Sequence, residues 1–91
     1  MSGPPSLLEI LQAVERVREA VHEEIRFDME VGDRFLYMSM RLDLGAGGRL
    51  EDRTVVTRDE IEHIHGSVVL MRIEAMGEAI RRQLGVMKIP R

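Results

Sequence analysis

The feature that most constrains this chain is a change of hydrophobic period at Glu24. Upstream, Leu7, Ile10, Val14, Val17 and Val21 recur at alternating steps of three and four, the spacing that lines residues along one helix face. The next position of that rhythm is the charged Glu24, and from Ile25 a two-residue period replaces it. Ile25, Phe27, Met29 and Val31 alternate with Arg26, Asp28 and Glu30; further on, Leu36, Met38, Met40, Leu42 and Leu44 alternate with Phe35, Tyr37, Ser39, Arg41 and Asp43. Such alternation marks strands with one buried face. Gly32-Asp33 between them predicts a tight hairpin with glycine first in a two-residue turn. Built on that turn, Val31 faces Arg34, Met29 faces Leu36, Phe27 faces Met38 and Ile25 faces Met40. The apolar residues of both strands then share one face, an agreement that a continuing helix would not produce.

The remaining elements follow from local signals. Ser6-Leu-Leu-Glu9 is a capping box that opens the first helix, its two side chains satisfying each other's orphan backbone donors. Gly45-Ala-Gly-Gly48 reads as a loop, and residues 49–56 as a third strand ending in Thr54-Val55-Val56. Glu51, Asp52 and Arg53 within it suit an exposed edge. Thr57-Arg-Asp-Glu60 is a second capping box, from which one helix is expected to run to Leu84 and stop at Gly85. At about 27 residues that helix would span roughly 40 Å and overhang its sheet. It carries two apolar stripes, Ile61, Ile64, Val68, Met71, Ala75 and Ala79, then Val69, Ile73, Met76, Ile80 and Leu84. Gly66 and Gly77 allow a neighbouring helix to approach closely. The expectation is one α+β domain over residues 6–85 in the order α-β-β-β-α, with a leader at 1–5 and a tail at 86–91.

Ninety-one residues bury only about 60–65 % of the chain surface, so such a domain is marginal alone. The absence of cysteine excludes disulfides, thiolate metal sites and cysteine nucleophiles. A partner chain remains as the source of stability, and the second stripe of the long helix predicts a homo-oligomer, dimer or tetramer, formed through the C-terminal helix. No apolar run approaches the roughly 18 residues of a membrane span, and the opening Met-Ser-Gly-Pro-Pro-Ser has no signal-sequence pattern, so a cytoplasmic protein without membrane contact is expected. Twelve of thirteen basic residues are Arg, there is no Asn, and the net charge is −3. High charge with few amides fits a heat-adapted protein, against which seven methionines count. The acidic balance argues against bulk duplex binding but leaves room for a local groove.

All three aromatic residues, Phe27, Phe35 and Tyr37, fall in the hairpin. The alternation puts Phe27 on the core face and Phe35 and Tyr37 on the opposite one with Arg26, Ser39 and Arg41, where Arg53 of the third strand can join them. A sheet face bearing aromatics flanked by arginines can stack bases and neutralise phosphates. The same aromatics also suit a protein interface, and Asp28, Glu30 and Asp43 on that face oppose phosphate. Glu60-Ile-Glu62-His63-Ile-His65 contains two Glu-x-x-His pairs, a di-iron spacing that looks a little like the encapsulated ferritins, although the β-type pattern departs from their all-helical plan. A charged, solvated helix start with ordinary surface histidines is the favoured account of it. No nucleophile elbow, P-loop, dinucleotide fingerprint or zincin pattern occurs.

A helix, a meander with outward Phe35 and Tyr37, and a long assembling helix together resemble the ThermoDBP-related single-stranded DNA-binding proteins of thermophiles. The likeness is one of architecture, composition and size, and it implies an oligomer that holds single-stranded DNA in a cleft with aromatics stacking bases. The α-β-β-β-α order also resembles the YbaB nucleoid-associated family, which dimerises. The double-stranded-RNA-binding domain shares this order, but its basic helix start is absent, residues 58–62 being mostly acidic. The expected function is non-enzymatic binding of single-stranded nucleic acid, without cofactor or metal, through Phe35, Tyr37, Arg26, Arg41 and Arg53. The alternatives are a self-assembling structural or adaptor protein whose sheet face meets protein, and an oligomeric metal-binding, ferritin-like protein.

Overall fold

The first helix forms where its capping box predicts it. In the computed structural model, which describes residues 5–63 and 66–87, α1 spans Leu7–Ala20. The Ser6 amide donates to Glu9 Oε1 at 2.9 Å, and the Glu9 amide donates back to Ser6 Oγ at 3.2 Å. The helix buries Ile10, Ala13, Val14 and Val17. Three leucines of its first turns are left out: Leu7 is 63 %, Leu8 64 % and Leu11 53 % exposed.

The strands are β1 (Arg26–Val31), β2 (Phe35–Asp43) and β3 (Arg49–Thr57), an antiparallel sheet in the order β1-β2-β3. The hairpin register differs from the expected one. Val31 pairs with Leu36, Met29 with Met38 and Phe27 with Met40, so the turn occupies Asp33-Arg34 and not Gly32-Asp33. Gly32 keeps a negative φ and closes the hairpin by donating its amide to the Phe35 carbonyl at 2.8 Å. The Arg34 carbonyl is engaged elsewhere, accepting from the Arg58 amide at 2.9 Å. Moving a turn by one residue moves every partner by two, and side chains alternate with a period of two, so each residue keeps its face. β3 begins where expected and runs one residue longer, to Thr57. It follows a single 3-10 turn (Gly45–Gly47); Gly45 within it and Gly48 just after it adopt positive φ, 63° and 98°.

The C-terminal half corrects a second expectation. The helical stretch is two helices, α2 (Arg58–His63) and α3 (Ser67–Met87). Gly66 is a buried turn residue whose carbonyl accepts from Val69. Of the stripes, Val69, Ile73, Met76 and Ile80 are buried with Val68, whereas Met71 is exposed. α3 also runs through Gly85, since a glycine stop needs a left-handed residue and none occurs there. The tail beyond Met87 and the leader before Pro5 lie outside the described residues, as do Ile64 and His65.

All helices cover one face of the sheet. Val69, Ile73, Met76 and Ile80 of α3 and Ile10, Val14 and Val17 of α1 form a single core with Ile25, Met38, Met40, Leu42, Leu50 and Val56. Gly77 lets α3 close on α1, because a β-carbon there would lie 2.7 Å from Val17 Cγ1. Arg72 locks the corner between β3 and the two C-terminal helices. It donates to Thr54 Oγ1 at 3.0 Å, to the Val55 carbonyl at 3.1 Å and to Glu60 Oε2 at 2.6 Å. Glu60 also caps α2, accepting from the Thr57 amide at 3.0 Å. That amide bond, with Arg72 beside it, outweighs desolvation and holds the Glu60 carboxyl below its ordinary pKa.

Candidate functional site

With helices on one face only, the other face of the sheet is open. The registers place its side chains in cross-strand rows: Arg26, Arg41 and Glu51; Asp28, Ser39 and Arg53; Glu30, Tyr37 and Val55; and Phe35 with Thr57. All five residues singled out from sequence, Phe35, Tyr37, Arg26, Arg41 and Arg53, therefore share this face. Phe35 is 43 % and Tyr37 46 % exposed, well above what a core aromatic shows. Their ring centroids are 5.9 Å apart at an interplanar angle of 44°, a tilted pair within the range of favourable aromatic contacts. Val55, which sequence reasoning left out, sits opposite Tyr37 and extends the apolar patch. Its signal was present, since residues 53 and 55 of a strand share a face.

Charge surrounds this patch in matched pairs. Arg41 lies 3.9 Å from Asp28, Arg53 3.2 Å from Glu51 and Arg49 3.0 Å from Asp43. Arg49 belongs to the face as well, by the same strand parity that places Arg53 and Val55 there. Arg26 has no ion-pair partner among the described residues, and neither has Glu30. Four arginines, at 26, 41, 49 and 53, thus stand against four carboxylates, at 28, 30, 43 and 51, and the face is formally neutral. The Nε–H of Arg41 is buried without an acceptor. A shallow depression of about 390 Å³ runs across the sheet beside Tyr37, Ser39, Arg53 and Val55, with Asp28 and Glu30 on its far side.

The Glu-x-x-His pairs receive no support as a metal centre. Glu60 spends its oxygens on the α2 cap and on Arg72. His65 and the His63 side chain lie outside the described residues. Among the described residues no cluster of three metal-ligating side chains occurs, and no helix is long and apolar enough to cross a membrane. The chain matches no protein-family model, no curated protein and no solved structure.

Proposed function

We propose that this protein is a non-enzymatic binder of single-stranded nucleic acid that uses its open sheet face. The observation behind this reading is the uncovered Phe35–Tyr37 pair, two residues apart on the central strand β2. Stacking contributes about 1–3 kcal/mol per base and tolerates sequence changes, since every base has a π-face. Within one chain Arg26 has no carboxylate to give up before it meets phosphate, whereas Arg41 and Arg53 must first exchange one for it. Exposed ion pairs are worth only about 0–1 kcal/mol, so that exchange is feasible. A neutral face releases few counterions. With one to three phosphates contacted, the slope of log K against log salt is about −0.7 to −2. Binding to labelled oligo-dT, read by fluorescence anisotropy across a salt series, should show this shallow slope. Phe35→Ala or Tyr37→Ala should weaken it by roughly 5- to 100-fold, in line with the stacking energy. Absence of saturable binding at low salt would remove the reading.

The charge balance favours a second reading, in which this face meets protein and the protein is a self-assembling or adaptor module. An apolar centre of Phe35, Tyr37 and Val55 ringed by paired charges has the layout of a protein interface. Under this reading Phe35→Ala changes the mass of the assembly and leaves oligo-dT titrations flat.

A further inference from the structure

The sheet has two edges, β1 and β3; at β3 the Val55 carbonyl is taken by Arg72, and the β1 edge carries an inference that stands apart from the nucleic-acid reading. Gly32 donates to Phe35 across the hairpin, so these two form a hydrogen-bonded pair. Antiparallel pairs alternate between bonded and non-bonded. Arg26, Asp28 and Glu30 therefore turn their amides and carbonyls towards β2, and Phe27, Met29 and Val31 turn theirs outward. β1 is an edge strand, and no backbone or side-chain group among the described residues bonds these three. The usual protections of such an edge are missing from Arg26–Val31: it has no proline, bulge or lysine, and its charges point to the open face.

The helix beside this edge is unfinished in the same direction. On α1, Ala13 and Val17 lie towards α3, where Val17 meets Gly77. Leu7 and Leu11 fall on the opposite flank by helical spacing. That flank borders an open groove of about 390 Å³ between Leu11, Val14 and Arg18 of α1 and Phe27 of β1. Unsatisfied backbone groups, a groove with an apolar floor and a row of exposed leucines thus all face one way.

We propose that the protein is a two-fold homodimer in which β1 pairs antiparallel with β1 of a second copy. The two meanders become one six-stranded sheet, and Leu7, Leu8 and Leu11 are buried between neighbouring α1 helices. Charge narrows the register: placing Phe27 opposite the partner's Phe27 would pair Arg26 with Asp28 but bring Glu30 against the partner's Glu24 at both ends. Placing Met29 opposite Met29 of the partner subunit would set Asp28 against a second Glu30 at both ends. Placing Phe27 opposite the partner's Met29 sets Arg26 against the partner's Glu30 twice, and opposite charges on facing strands are favourable. Only Asp28 then meets its own copy, on the axis, and it already lies beside Arg41. The exposed apolar residues of α3 offer a second copy less: Met71 and Val86 lie fifteen positions, about 22 Å, apart along the helix, with only Ala75 exposed between them on that stripe.

Light scattering on the purified chain tests this directly. The wild type should show twice the chain mass of 10.4 kDa. Leu11→Glu should give a monomer with an unchanged circular dichroism spectrum, because Leu11 is already exposed in the single chain. Glu30→Arg should weaken the dimer by about tenfold or more by placing arginine against Arg26, and the swap Arg26→Glu/Glu30→Arg should restore it. Amides of Phe27 and Met29 should exchange slowly in the wild type and quickly in Leu11→Glu. A monomeric wild type overturns the proposal, as does a dimer whose mass survives both Leu11→Glu and Glu30→Arg. These readouts contain no nucleic acid, so their failure is separable from a failure of oligo-dT binding.

Discussion

Replacing Gly77 by alanine isolates the close contact between α3 and α1. In an ordinary helix interior, Gly→Ala stabilises by about 1 kcal/mol through backbone entropy. At Gly77 the added β-carbon would sit 2.7 Å from Val17 Cγ1 and 2.9 Å from Cγ2, both on a fully packed side chain. Forcing a methyl into a packed core costs about 1–3 kcal/mol, so the contact offsets the propensity gain and the net effect is a loss of up to about 2 kcal/mol. Gly85 in the same helix is the control, for an added β-carbon there meets nothing within 4 Å. Gly85→Ala should gain about 1 kcal/mol, so one chemical change has opposite signs at two positions of one helix. Urea unfolding followed by circular dichroism at fixed protein concentration measures both; each kcal/mol also moves Tm by about 4–8 °C in a domain of this size. Adding Val17→Ala to Gly77→Ala should recover about 1–3 kcal/mol relative to additivity. If Gly77→Ala stabilises as much as Gly85→Ala, the α1–α3 contact is wrong as described.

Three further outcomes follow from other contacts. Gly48 holds φ 98° and ψ −154°, a region nearly closed to other residues, so Gly48→Ala should cost about 1–3 kcal/mol in thermal unfolding. The Glu60 carboxyl is held below its ordinary pKa by the Thr57 amide and by Arg72. Its contribution to stability is therefore present above the unfolded-state pKa and fades as pH falls through the lowered folded value. Glu60→Gln should flatten that acid limb in urea midpoints measured from about pH 7 to about pH 3. Arg72→Met should lower the unfolding midpoint more than Arg81→Met does, because Arg72 ties together Thr54, Val55 and Glu60 whereas Arg81 reaches only Glu78 within its own helix.

The faces of the meander were legible in the sequence because they depend on parity alone. The turn was not, since moving it from Gly32-Asp33 to Asp33-Arg34 leaves every residue on its face and so leaves no trace in the alternation. The break at Gly66 was hidden for a related reason: Ile61, Ile64 and Val68 continue a helical stripe across it, and the stripe cannot tell one helix from two. Gly85 misled because glycine stops a helix only when it turns left-handed. For the candidate site, alternation was enough to collect Phe35, Tyr37, Arg26 and Arg41, and Arg53 joined them once β3 was placed. The neutralising pairs required actual distances, such as 3.2 Å between Arg53 and Glu51. Arg72 had no local signal, since its partners lie twelve to eighteen positions away on other elements.

Placing the single tyrosine on the open face of a chain that has no tryptophan gives the molecule a built-in optical reporter. Near-ultraviolet emission comes almost wholly from Tyr37, so a quenching or anisotropy change reads events on that face and is nearly silent to repacking of the core. Any occupant of the sheet, polynucleotide or polypeptide, can therefore be followed without attaching a dye to the protein.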